Sequence, residues 1–461
     1  MPSCTPPPSA WVSRRSVGHA HSVRPRAWHG RPMASCSAPI SSWRSSSTGA
    51  YRAPPPVSCP MRLFDAPHIA YFLGGLAQVL LALILWALWL LGAFAGAYAL
   101  PALPISPVAL HGFLMIYGVF PFFVFGFLAT TFPRWMQTTP PTRRAYRNAF
   151  ALRAAGLILV YAGLILGDRA VVLGALIMAV GDARLVAALI GVYRRARETA
   201  RRGVLLFTWT LAAEVAGLLL YAAALWRGSP VSPLIAIRVG LFGFLIPTLF
   251  GVSYRMIPFF TASVLTGYRR PLPNPKVPMV FLAATASHAL LASLGWRAVL
   301  AVLDLAIAAA AWYQLVLWFR WDVLRHGLLL LLYVGYAWLG MGFALYAASD
   351  AGLVMGHQAL GRGPLHALGI GFALSLIVAM ATRVTRGHSG RPLASDTLSW
   401  VALLGIEVAA VLRIAADIPA LDRLAPYDLS VFAAPVAIAA LLPWATRYAV
   451  MLATTRREMP S

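Results

Sequence analysis

The chain has 461 residues, 60% hydrophobic and 11% charged, with a mean hydropathy of +0.73 and a formal net charge of +24. A soluble domain needs roughly a quarter of its residues charged to face water, so this balance excludes one. Continuous apolar runs exclude a β-barrel, whose strands alternate, and basic residues scattered in short clusters, with no basic arm interleaved with aromatics, argue against a nucleic-acid partner. An all-α polytopic membrane protein with the lipid bilayer as its solvent remains. Its basic residues are almost all arginine; Lys276 is the only lysine.

Residues 1–60 are rich in Pro, Ser and Arg, contain no acidic residue and lack the apolar core of a signal peptide. They read as a disordered basic arm, with Met61 an alternative start of the chain. Cys4, Cys36 and Cys59 all fall in this arm. With no CxxCH, covalent c-type haem attachment is excluded, and no cysteine pair near the core suggests zinc or iron–sulfur.

Residues 61–461 read as a single transmembrane domain of about twelve spans. Hydropathy predicts them near 69–98, 108–132, 148–167, 170–193, 204–226, 232–254, 277–296, 298–319, 327–349, 364–385, 397–416 and 430–453. Arginine clusters mark alternate connections: Arg134, Arg143, Arg144 and Arg147, then Arg194 to Arg202, Arg269 and Arg270, Arg320 and Arg325, Arg383 to Arg391, and the tail Arg456 and Arg457. The intervening loops carry one arginine or none, so the positive-inside bias puts both termini in the cytoplasm.

That topology assigns depths to the polar residues. His111 lies just inside the outer end of span 2, and His366, in "GPLHALGIGF", at the same depth in span 10. Two imidazoles from different helices, matched in depth, suit the axial positions of a non-covalent haem; hydrogen bonding between helices is the alternative use of each. Gly118, Gly126, Gly369 and Gly371 would let a flat ring approach the backbones, or would serve ordinary helix packing. Arg238 and Arg413, in the outer thirds of their spans, are the candidate partners of haem propionates, with Asp304 the other partner for either. His288 lies in span 7 and His357 in the outer loop before span 10. Asp182, Arg184, Glu214 and Glu407, nearer the membrane middle, form either a proton or ion path or structural ion pairs.

Five motifs, "GFLATTFPRW" (126–135), "RMIPFFT" (255–261), "GYAW" (335–338), "LHALGIGF" (365–372) and "TRVTRGHSGRPL" (382–393), resemble the NnrS family in consistent order from about residue 68 to 455. The resemblance implies a bacterial inner-membrane protein of about twelve spans, containing haem and copper and linked to nitric oxide metabolism and nitrosative-stress protection. A haem b near the outer face would bind nitric oxide, turn it over, or pass on electrons from a membrane or periplasmic donor. Family members commonly carry Trp-His-Ala-His-Glu entering span 2, where this chain has Val108, Ala109, Leu110, His111 and Gly112, so one histidine and the glutamate are missing. Tyr333 replaces a histidine the family often has before "GYAW". His111 and His366 remain as haem ligands, while copper is left with His288 and His357. His388 belongs to the last motif on the opposite face, and its role is open.

A more distant likeness is to the catalytic subunits of haem–copper oxidases, whose histidines of spans 2 and 10 hold a low-spin haem. The recurrence of "LH" opening spans 2 and 10 and "IR" opening span 6 hints at their threefold pseudo-symmetry. The competing readings are a twelve-span transporter without a redox cofactor, which would show interrupted helices in two matching halves, and a haem-free assembly or sensor protein. No Walker loop, HExxH, triad signature or dinucleotide fingerprint is visible, and whether the protein is an enzyme is open.

Overall fold

Runs of some twenty apolar residues satisfy their backbone in hydrocarbon by forming helices, because every N–H and C=O then bonds within its own segment. The computed structural model describes residues 58–60, 63–202, 204–229, 232–423, 428–454 and 456–458. The predicted arm up to residue 57 and the alternative start at Met61 lie outside them. Within the described residues twelve helices are long and apolar enough to cross a membrane. Spans 1 to 6 are Pro67–Phe94, Pro107–Met136, Arg143–Leu166, Asp168–Arg195, Leu205–Trp226 and Pro233–Val264. Spans 7 to 12 are Lys276–Leu294, Arg297–Trp318, Gly327–Val354, Gly363–His388, Thr397–Ala415 and Ser430–Ala453. The extended pairing among the described residues is antiparallel, Ser58–Pro60 against Arg456–Glu458.

The protein is all-α and the predicted spans are all present, with different ends. Span 1 stops at Phe94 rather than residue 98, because Gly96 turns the chain at φ 61° and the Tyr98 hydroxyl folds back onto the Leu88 carbonyl. Spans 2 and 6 run on through Pro133 and Pro258 to Met136 and Val264. Charge ends the apolar run at Arg134 and Arg255, but the helix continues: the Arg255 guanidinium lies over the Trp135 ring at 5.0 Å, so these ends brace each other.

Burial separates the helices into two classes. Spans 2, 6 and 10 are buried over 89%, 78% and 72% of their apolar eighteen-residue cores, and the other nine over 61% or less. The three inner helices also share a local form. Each opens with a short α-helical stretch, widens into a π-helix at Leu114–Val119, Val239–Leu245 and Ala367–Leu374, and then returns to α. π-Helix is rare and costs good hydrogen-bond geometry. Its recurrence every fourth span therefore marks a repeat of four helices, three times over, with the π segments of spans 2 and 6 in contact.

Outside this core, small residues set the packing. Spans 3 and 4 cross at Gly156 and Gly174, where a Cβ would meet the partner's carbonyl oxygen at 2.5 and 2.6 Å respectively. Because the obstacle is backbone, nothing can swing away. Gly156→Ala is expected to cost about 1–3 kcal/mol, measured by thermal unfolding in detergent; an unchanged melting temperature would show that this crossing does not hold the spans together.

The connection between spans 10 and 11 is fastened by Asp396. It caps span 11 by accepting from Ser399 N at 2.9 Å and Ser399 Oγ at 2.6 Å, and it also holds Arg386 at 3.1 Å and the Tyr448 hydroxyl at 3.2 Å. Burial pushes its pKa up, but the bonds from Ser399, Tyr448 and Arg386 outweigh it and hold the carboxyl below the usual carboxylate range. A depressed folded pKa means stabilisation that is complete above the unfolded value and is lost as pH falls through the folded value. Asp396→Asn should therefore lower the melting temperature at neutral pH and flatten its fall on the acid side, read between about pH 3 and pH 7.

Candidate functional site

Span 2 begins with Pro107 in its first turn, and span 10 with Pro364, each pre-set for a helix start. His111 and His366 lie one turn inside those starts, on the approach to the π segments. The two rings have centroids 6.4 Å apart and planes inclined by 18°. The His366 Nδ1 stands 2.9 Å from the Arg362 carbonyl. A carbonyl only accepts, so Nδ1 carries the proton and Nε2 keeps its lone pair. The His111 ring stacks on Trp86 of span 1 at 4.0 Å and 17°, and its Nδ1 is buried with no hydrogen-bond partner among the described residues.

Charge and space around the pair are also defined. Arg413 and Arg362 are the cations acting on both rings. Arg413 is tied to Asp417 at 2.8 Å, and Asp417 also accepts the Arg362 N–H at 3.0 Å. A narrow apolar cleft runs along His111 between spans 1 and 2, lined by Leu85, Trp86, Trp89, Leu110 and Leu114. Of the four predicted glycines, Gly369, one turn past His366, faces open space. Gly126 and Gly371 are packed against Tyr71 and Trp338, and Gly118 against Gln78.

The other predicted ligands are not brought to this pair. Arg238 holds the position in span 6 that His366 holds in span 10, directly before the π segment, but its guanidinium bonds to Ser293 Oγ at 3.3 Å. His288 is buried, with Nδ1 2.7 Å from Asp304 Oδ1 and its ring against Phe242 and Tyr346. Asp304 thus partners His288 rather than either arginine. His357 is exposed on its loop, and no group of three His, Cys, Asp or Glu side chains able to hold a metal is found among the described residues. Asp182 and Glu214 meet Arg153, whereas Arg184 is exposed, and Glu407 takes hydrogen bonds from the Trp338 indole and from Ser375 at 3.1 Å.

At the opposite end of the bundle three of the sequence motifs converge. Beside the Arg255–Trp135 contact, Arg383 lies over Phe260 at 3.8 Å, and Thr382 accepts from the Trp444 indole at 2.9 Å. His388 stands against His68 with ring centroids 4.2 Å apart, and Thr130 Oγ1 is 3.5 Å from His68 Nδ1. The motifs that looked separate in the chain form one cluster. The family model described as NnrS protein matches residues 62–456. The chain belongs to the NnrS family. Among curated proteins it has no match.

Sequence reasoning missed His68, Trp86, Arg153 and Arg362. Arg153 was detectable, since an arginine inside "ALRAAGLILVYAG" is costly without a partner. His68 shares its end of the bundle with His388, a depth match of the same kind that singled out His111 and His366. Trp86 and Arg362 carry no such signal: an aromatic residue in an apolar run and an arginine in a loop are ordinary for an NnrS-family membrane protein.

Proposed function

We propose that this NnrS-family protein is a bacterial inner-membrane protein of nitric oxide metabolism or nitrosative-stress protection that holds haem b between His111 and His366. The observation that carries the reading is the separation of the two rings. Two imidazoles on one iron sit with centroids about 6 Å apart, two metal–nitrogen bonds of about 2 Å plus two ring half-widths. The 6.4 Å separation, the near-parallel planes, the free Nε2 of His366 and the unpartnered His111 Nδ1 fit that use.

Bound haem supplies a one-electron couple, and with both imidazoles committed, electron transfer in the response to nitric oxide is favoured over direct gas binding. The protein's part is positional. The Arg362 carbonyl fixes the His366 tautomer, Trp86 holds the plane of His111, and the Arg413–Asp417 pair with Arg362 supplies positive charge for the propionates. The Arg238 guanidinium is engaged by Ser293 Oγ. Copper, with which the family is also associated, would draw on His288 and His357; His288 holds Asp304 through Nδ1, and His357 lies in an exposed loop.

The arginine bias supports a position of the histidine pair near the periplasmic face, within reach of a periplasmic or membrane electron donor, and cytoplasmic termini. A transporter built of two matching halves is disfavoured, because the helix interruptions recur in thirds. The test is a visible spectrum of the detergent-purified protein with pyridine haemochromogen analysis. A Soret band with the haem b derivative is expected; purified protein with no Soret band would return the weight to the transporter.

A further inference from the structure

Arg153, Asp182 and Glu214 project from spans 3, 4 and 5 and meet behind span 2, with relative exposures of 0%, 1% and 0%. The Arg153 guanidinium donates to Asp182 Oδ2 at 2.8 Å and to the Tyr117 carbonyl at 2.7 Å, and stands 3.5 Å from Glu214 Oε1. Phe122 and Phe125 lie under it at 5.1 and 5.8 Å. One cation therefore faces two carboxyl groups, and neither oxygen of Glu214 receives a hydrogen bond among the described residues.

The charges do not balance as they stand. With both carboxyls ionised the cluster carries one net negative charge where no water reaches, an expensive state. The titratable groups facing it from the surrounding helices are phenols: Tyr71 of span 1 and Tyr117 of span 2. Each already donates to a backbone carbonyl, of Tyr146 and Ala236 respectively, so neither can serve Glu214. Both carboxyl groups flank the one Arg153 guanidinium, Asp182 Oδ2 at 2.8 Å and Glu214 Oε1 at 3.5 Å, so two carboxylates there would share a single cation.

We propose that Asp182 and Glu214 form a proton-binding site within the membrane, an acid–carboxylate pair that shares one proton and is clamped by Arg153. A single proton restores neutrality and removes the second charge from a pair of carboxyls that has only one cation between them. Through the Tyr117 carbonyl the clamp is anchored in the π segment of span 2, the helix that carries His111. The site is independent of what His111 binds.

Infrared spectroscopy of the detergent-purified full-length protein tests it. The expected result is a carbonyl band of a protonated carboxylic acid at neutral pH that shifts in deuterium oxide, disappears in Glu214→Gln and persists in Glu407→Gln. Glutamine mimics the protonated acid, so Glu214→Gln should melt within about 2 °C of wild type between pH 6 and 8, and Asp182→Asn well below it. A spectrum unchanged by Glu214→Gln overturns the proposal. A wild-type melting temperature that rises with sodium, and does so only while Glu214 is present, also overturns it, because the balancing charge is then a metal cation.

Discussion

Alanine at either His111 or His366 should reduce the Soret absorbance of the purified protein at least tenfold while the protein still folds. Changing even the groups that orient a metal ligand costs roughly 10–100-fold in affinity, and removing an axial imidazole takes away the bond itself. The fold should survive because each ring is only partly buried and makes one local contact, His111 with Trp86 and His366 with the Arg362 carbonyl, and His111 Nδ1 has no partner to strand. His288→Ala and His357→Ala are the controls, since one ring belongs to the Asp304 pair and the other to an exposed loop. Added imidazole should restore part of the band in the alanine variants by filling the vacated position. Full haem content in both variants would sink the proposed site, whatever the wild-type spectrum shows.

Arg153→Leu should have the largest effect on stability, about 3–5 kcal/mol, read by unfolding in detergent. It leaves Asp182 and Glu214 facing each other with no cation and frees the Tyr117 carbonyl at the same stroke. Arg153→Lys should fall between leucine and wild type, because an ammonium keeps the charge but cannot span the carboxyl and the carbonyl as a planar fork does. Adding Asp182→Asn to Arg153→Leu should recover part of the loss by removing the stranded carboxylate. A leucine variant within about 1 kcal/mol of wild type would mean that water enters the cluster and screens it.

The π segments connect the two predictions. Four residues on from Tyr117 stands Pro121, which has no N–H to give, so the Tyr117 carbonyl in this π segment is left to accept from Arg153. The same distortion lies just past His111, and its counterpart in span 10 starts directly after His366. Its third copy in span 6 follows Arg238, which bonds to Ser293 instead. The repeated geometry is thus used for the histidine pair on two of the three inner helices.

Hydropathy and arginine placement were enough for the fold class, the number of spans and their approximate ends, because a bilayer imposes the same length and composition on every helix that crosses it. Depth along a helix was legible too, which is why His111 and His366 could be matched before any contact was known. Azimuth was not. Whether a side chain at a given depth points to lipid, to the core or to one particular neighbour depends on how twelve helices rotate and pack, and an almost uniformly apolar sequence carries little periodicity to reveal it. So Arg238 and Arg413, alike on paper, part company, with Arg413 beside the histidine pair and Arg238 at Ser293. Asp304 turns to His288, Arg153 gathers one carboxyl from span 4 and one from span 5, and His68 meets His388 across the bundle. Those pairings are set by tertiary packing, since only there do the short-range forces that join or separate them act.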